Sequence, residues 1–249
     1  MKRKSFKKKL QINKREWLTI IGKSIGVVIF LDYFFFKSFW AVIPLSVFGI
    51  AFFVLSYREL IERKQKEATE QFKELLLLSC NGLRAGYSVE NAMLSSYRDL
   101  ETLYSSKSFV TSLLSKLQIA KNNNRSLPMV FQKIGEESGI GIISEFGITY
   151  KIAYEMSGNL PEVMEKCAQN IIERMDTESE VQKVLNERIF EMKIMSLMPF
   201  LIIEYMSLIN RGYFEVLYKG VLGRIIMSIC LLIYAGAYLW GCRITDIKM

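Results

Sequence analysis

The stretch LPEVMEKCAQNIIERM, Leu160–Met175, decides the fold. Its apolar residues are Leu160, Val163, Met164, Cys167, Ala168, Ile171, Ile172 and Met175. They alternate steps of three and one, which lays a single apolar stripe along an α-helix. A strand would instead repeat every second residue. Few breakers follow, so the spacing predicts one helix that runs nearly unbroken into the apolar stretch Ile194–Ile209. The helical period returns across residues 57–190. Phe72, Leu75, Leu76, Ser79 and Leu83 mark one face; Ile142, Phe146, Thr149, Ala153 and Met156 mark another. The fold class expected is all-α.

Outward from this helical bundle lie four apolar stretches. Trp17–Phe36 carries only Lys23 and Asp32, and Phe39–Ser56 carries no charge. Ile194–Ile209 is apolar except for Glu204 and contains Pro199, and Ile225–Trp240 is uncharged. A helix rises 1.5 Å per residue, so roughly 20 residues cross a hydrocarbon core of about 30 Å. The third stretch is short and is expected to begin in the helix leading into it. Pro199 is tolerable inside such a span, and Ala235, Gly236, Ala237 and Gly241 favour close helix packing. A signal peptide is the competing reading of the N-terminus. The first stretch is too long for one, and no Ala-x-Ala-like site follows it. The expectation is a polytopic membrane protein with four transmembrane helices and a cytoplasmic helical bundle.

The chain has 249 residues, a formal net charge of +8, four Cys and no His. Residues 1–16 hold eight Lys/Arg against one acid, whereas residues 57–190 hold 17 basic and 19 acidic residues. The excess is therefore an N-terminal cluster. A nucleic-acid-binding domain would carry its basic stripe on the folded body, so no nucleic-acid partner is expected. The cluster instead orients the chain by the positive-inside rule and favours anionic membrane lipid. Arg58, Arg63, Lys64 and Lys66 follow the second stretch on the same side, whereas the connector before it has only Lys37. The expected order is a basic cytoplasmic N-terminus (1–16), a transmembrane hairpin (17–56), the cytoplasmic bundle (57–190), a second hairpin (191–242) and a cytoplasmic tail (243–249). Both termini then lie in the cytoplasm.

Absence of His removes Ser-His-Asp and Cys-His catalysis and His-ligated metal. No Cys-x-x-Cys occurs, so Cys80, Cys167, Cys230 and Cys242 read as small buried hydrophobes. Gly135–Gly141 holds three Gly but lacks the Gly-Lys-Ser/Thr ending of a phosphate loop. Glu136 and Glu137 are adjacent rather than on one helix face, which fits a solvated charge pair better than acid–base work. No catalytic residue, metal or cofactor is assigned.

Three segments share a pattern: Gly86–Met93, Arg125–Phe131 and Ser157–Met164. Each places Ser or Asn before an apolar residue that opens a helix, where its oxygen can accept from unpaired first-turn N–H groups. Pro128 and Pro161 sit in first turns, Glu162 follows Asn159 as in a capping box, and Gly86 and Gly158 suit helix ends. By themselves these are three helix–helix corners, with unequal separations that exclude a regular solenoid. Leu83-Arg84-Ala85-Gly86-Tyr87-Ser88-Val89-Glu90-Asn91-Ala92-Met93, however, resembles the opening of the type II secretion system F domain. Tyr154-Glu155-Met156-Ser157-Gly158-Asn159-Leu160-Pro161-Glu162-Val163-Met164 resembles that family's second signature. The resemblance covers roughly residues 70–210, and one such domain between two pairs of spans is similar to Tad pilus (TadB/TadC-like) members.

The resemblance implies a non-enzymatic inner-membrane platform protein of a type IV/Tad-like pilus or type II secretion machine. It implies a hexameric secretion ATPase and pilin or pilin-like subunits as partners. With one domain copy, it also implies a second platform protein or self-association. The matched corners make Arg84, Gly86, Ser88, Glu155, Gly158, Asn159 and Glu162 candidates for the ATPase side. Charge inside lipid is costly, so Lys23, Asp32 and Glu204 are the candidate intramembrane polar residues. The competing functions are a membrane signalling protein with a helical relay domain and, less well matched, a small transporter.

Overall fold

The computed structural model describes residues 14–35, 42–156, 160–209 and 221–245. These residues are all-helical, with no strand among them. In chain order the helices are α1 (Lys14–Phe35), α2 (Val42–Arg84), α3 (Val89–Ser95), α4 (Tyr97–Tyr104), α5 (Phe109–Asn122), α6 (Leu127–Ser138), α7 (Gly141–Met156), α8 (Leu160–Ile209) and α9 (Val221–Thr245). The chain divides into two units: a bundle, Arg58–Thr177, and an apolar unit built from the parts on either side of it, Asn13–Tyr57 and Glu178–Met249. As the stripe predicts, α8 is one continuous helix of 50 residues. It crosses the division between units, and so does α2 with 43 residues.

In the bundle the predicted face of α2 is buried: Phe72, Leu75, Leu76, Ser79 and Leu83 are all nearly inaccessible. They meet Phe131, Phe146 and Tyr150 in one core, with the Phe72 and Phe146 rings edge-on at 5.7 Å and Phe131 and Phe146 at 5.1 Å. Aromatic pairs favour such tilted arrangements. The stripe on α8 is also largely correct, since Met164, Ala168, Ile171, Ile172 and Met175 are buried. Val163 is exposed.

The face predicted for α7 is rotated. Ile142 and Thr149 are only half-buried, and Met156 is exposed; the buried face is Ile143, Phe146, Gly147, Tyr150 and Ala153. The cause is the close crossing of α6 and α7. A Cβ on Gly147 would lie 2.7 Å from Gln132 N, and one on Gly135 would lie 2.4 Å from Ser144 N. Only glycine lets the two backbones approach this far. With Gly147 turned onto α6, Tyr150 follows one turn later into the core.

The apolar unit has a small interior: Leu31, Leu45, Phe200, Met227 and Leu231, with Val27, Val28 and Tyr234 against it. Its large apolar side chains mostly face outward, among them Ile29, Leu201, Leu208 and Leu232. Two helices are long and apolar enough to cross a membrane, α8 and the Ile225–Cys242 part of α9. Only 6% and 11% of their apolar windows are buried, whereas the core helix of a soluble protein hides most of such a surface. Among the described residues two helices meet this description rather than the four expected. Helix α1 carries Lys23 and Asp32 within its apolar run, and the stretch Phe39–Ser56 lies partly outside the described residues.

Candidate functional site

The first matched corner is built as its residues dictate. Gly86 has φ +83, the left-handed conformation that ends a helix. Gly86 N donates to Leu83 O at 2.9 Å and Tyr87 N to Gly82 O at 3.0 Å, the paired bonds of a Schellman motif. Ser88 then takes an extended backbone, and its Oγ accepts from Asn91 N at 3.4 Å to open α3. The Arg125–Phe131 corner departs from expectation. Ser126 makes no side-chain cap bond: its backbone, at φ -57 and ψ 113, is not in the extended conformation that Ser88 takes at φ -62 and ψ 153. Of the third corner, Ser157, Gly158 and Asn159 lie outside the described residues.

The matched residues are tied to the rest of the bundle by partners the pattern does not name. Arg84, the last residue of α2, donates from Nε to Glu165 Oε1 on α8 at 2.7 Å. Gln169 Nε2 donates to the same oxygen at 3.0 Å. The acceptor is Glu165 rather than Glu162, which lies one turn earlier, is exposed, and accepts from Lys166 at 3.0 Å. Glu155 is exposed in the last turn of α7. Lys73 and Asp176 form a second ion pair between α2 and α8. Eleven residues separate Lys73 from Arg84, and eleven separate Glu165 from Asp176. Equal offsets of three helical turns in opposite chain directions are the register of an antiparallel pair.

Helix α3 is anchored by its own motif residues. The Tyr150 hydroxyl donates to Glu90 Oε1 at 2.6 Å, and Lys121 Nζ donates to Asn91 Oδ1 at 2.6 Å. Burial, reinforced by the Glu90 carboxylate, pushes the Tyr150 phenol well above its ordinary pKa. The phenol is thus a permanent donor. Gln71, almost fully buried on α2, accepts from Val110 N at 3.1 Å and seats the start of α5.

A groove of about 380 Å³ runs between α7 and α8, floored by Ile142, Val163, Cys167 and Ile171 and rimmed by the Glu145–Arg174 pair at 3.2 Å. Burial raises the thiol pKa of both Cys167 and Cys80, which keeps these sulfurs protonated and poor nucleophiles. Gly135–Gly141 forms no loop for phosphate. Gly135 lies within α6, Gly139 ends that helix with φ +71, and Gly141 opens α7. Glu137 faces Lys116 at 4.0 Å. Among the described residues no group of His, Cys, Asp or Glu is arranged to hold a metal ion.

The intramembrane candidates are not brought to one point by any described bond. Lys23 is exposed and Glu204 half-buried. Asp32 is half-buried, and its Oδ1 is buried with no hydrogen-bond partner among the described residues. No protein-family model matches the chain, and neither does any curated protein or solved structure.

Proposed function

We propose that the chain is a polytopic inner-membrane platform protein. Its four helices cross the membrane with both termini and the Arg58–Thr177 bundle in the cytoplasm. There it couples a hexameric secretion ATPase to pilin extraction and assembly, alongside a second platform protein or another copy of itself. The observation that carries this reading is the pair α2 and α8. Each helix is continuous from the bundle into the apolar unit, and the two are cross-linked inside the bundle by Arg84–Glu165 and Lys73–Asp176. Helices so joined move together, which suits a part that passes a push from a cytoplasmic motor to membrane helices. The Arg84 link also ties the first segment that resembles an F-domain signature to Glu165, the residue just after the second. Basic residues concentrated before α1 and at the apolar end of the bundle support the assigned orientation.

The test is affinity purification of the full chain, in mild detergent, from cells expressing its genomic neighbours. A hexameric ATPase and pilin-like subunits should co-purify, and Arg84→Glu should release the ATPase while leaving the chain in the membrane. Recovery of the chain with a sensor or response protein, and without an ATPase, would favour the signalling reading instead.

A further inference from the structure

Helix α8 contains Pro199 in its interior. Proline has no N–H, so the carbonyl of Met195, four residues earlier, loses its helical donor, and the ring crowds that carbonyl outward. The next carbonyl, Ser196 O, accepts a hydrogen bond from the Tyr234 hydroxyl on α9 at 3.0 Å. Phe200, immediately after the proline and almost fully buried, packs edge-on against the Tyr234 ring at 5.2 Å and tilted against Phe30 of α1 at 5.0 Å. The weak point of α8 is thus held on both sides. One side has a phenol on the carbonyl before the proline, and the other has two rings on the residue after it.

We propose that Pro199 is a hinge in α8 and that the Tyr234 hydroxyl is the latch that keeps it closed. The inference rests on the reading of α8 and α9 as membrane spans. In hydrocarbon no water stands ready to replace the phenol, so loss of one hydrogen bond frees the joint while the aromatic packing still holds the helices together. Bending at Pro199 would swing the bundle end of α8 relative to its terminal ten residues, which is a motion a force-transmitting helix can use.

The test uses the full chain in lipid nanodiscs and hydrogen exchange of peptides covering residues 194–209. Tyr234→Phe, which keeps the ring, should speed exchange at Phe200–Ile203 by about three- to tenfold, the range of one interhelical hydrogen bond. In a Pro199→Ala background, where residue 199 regains its N–H, the same change should have less than a twofold effect. Pro199→Ala alone should slow exchange there. No acceleration by Tyr234→Phe, an equal acceleration in both backgrounds, or unchanged exchange in Pro199→Ala would overturn the hinge. Wild-type peptides that exchange as fast as a free peptide would instead sink the membrane reading, and the hinge with it.

Discussion

Gly135→Ala is the sharpest probe of the bundle. The new Cβ would lie 2.4 Å from Ser144 N, 2.7 Å from Ser144 Cβ and 2.8 Å from Ser144 Cα. Two of these neighbours are backbone atoms, so no rotamer change relieves the clash. Restoring an ordinary contact of 3.4 Å requires α6 and α7 to separate by about 1 Å, next to the Phe131–Phe146 packing. Overpacking of this kind costs about 3 kcal/mol, and the better helix propensity of alanine returns about 1 kcal/mol. The net loss is about 2 kcal/mol, or roughly thirtyfold in the opening equilibrium. Native-state hydrogen exchange on the full chain in detergent reads this directly as about thirtyfold faster exchange in peptides from Leu127–Met156. Gly141→Ala is the control. Nothing lies within 4 Å of its Cβ, so protection should stay the same or rise slightly. Gly135→Ala with protection equal to wild type would refute the close crossing, and with it the explanation for the rotated face of α7.

Three further outcomes are expected. Tyr150→Phe should cost about 1.5–3 kcal/mol, because it removes a hydrogen bond to the charged Glu90; a thermal melt in detergent should drop accordingly, with the first effect at α3. Ser105→Gly should stabilise by about 1 kcal/mol, since Ser105 holds φ 72 and ψ 160, a conformation that glycine alone adopts freely; a melt at or below wild type contradicts this. Stability should fall as pH rises above about 9. Cys80, Cys167 and Tyr150 all have raised pKa values in the folded bundle. The unfolded chain therefore releases their protons first, and stability present below the unfolded values is lost on the alkaline side. A flat profile between pH 8 and 11 would contradict it.

Much of this was legible in the sequence because helices repeat locally. The three-and-one stripe from Leu160 to Met175 predicted both the helix and the side it buries, and Gly86 with Ser88 predicted the first corner down to its left-handed turn. What escaped has physical reasons. An apolar stripe counts side chains, so it passes over Gly147, whose importance is that it has none; missing it misplaced the face of α7 and hid Tyr150. Glu165 meets Arg84 across 81 positions of sequence, and an ion pair between distant helices leaves no local period. Ser126 had the right residue type for a cap, but a cap also needs an extended backbone, and Ser126 sits at ψ 113 where Ser88 has ψ 153. The number of spans depends on stretches interrupted by charge, where hydropathy alone decides least.

A cytoplasmic bundle with a pair of membrane helices before it and a pair after it fixes which side of the membrane each segment faces, and cysteine labelling reads this topology. Single cysteines are placed in a background with Cys80, Cys167, Cys230 and Cys242 replaced by Ala, and intact cells are treated with a membrane-impermeant maleimide. Ser38→Cys and Tyr213→Cys should be labelled in intact cells, and Ser5→Cys, Ser126→Cys and Lys248→Cys only after the cells are broken. Labelling of Ser126→Cys in intact cells, or protection of both Ser38→Cys and Tyr213→Cys, would contradict this topology.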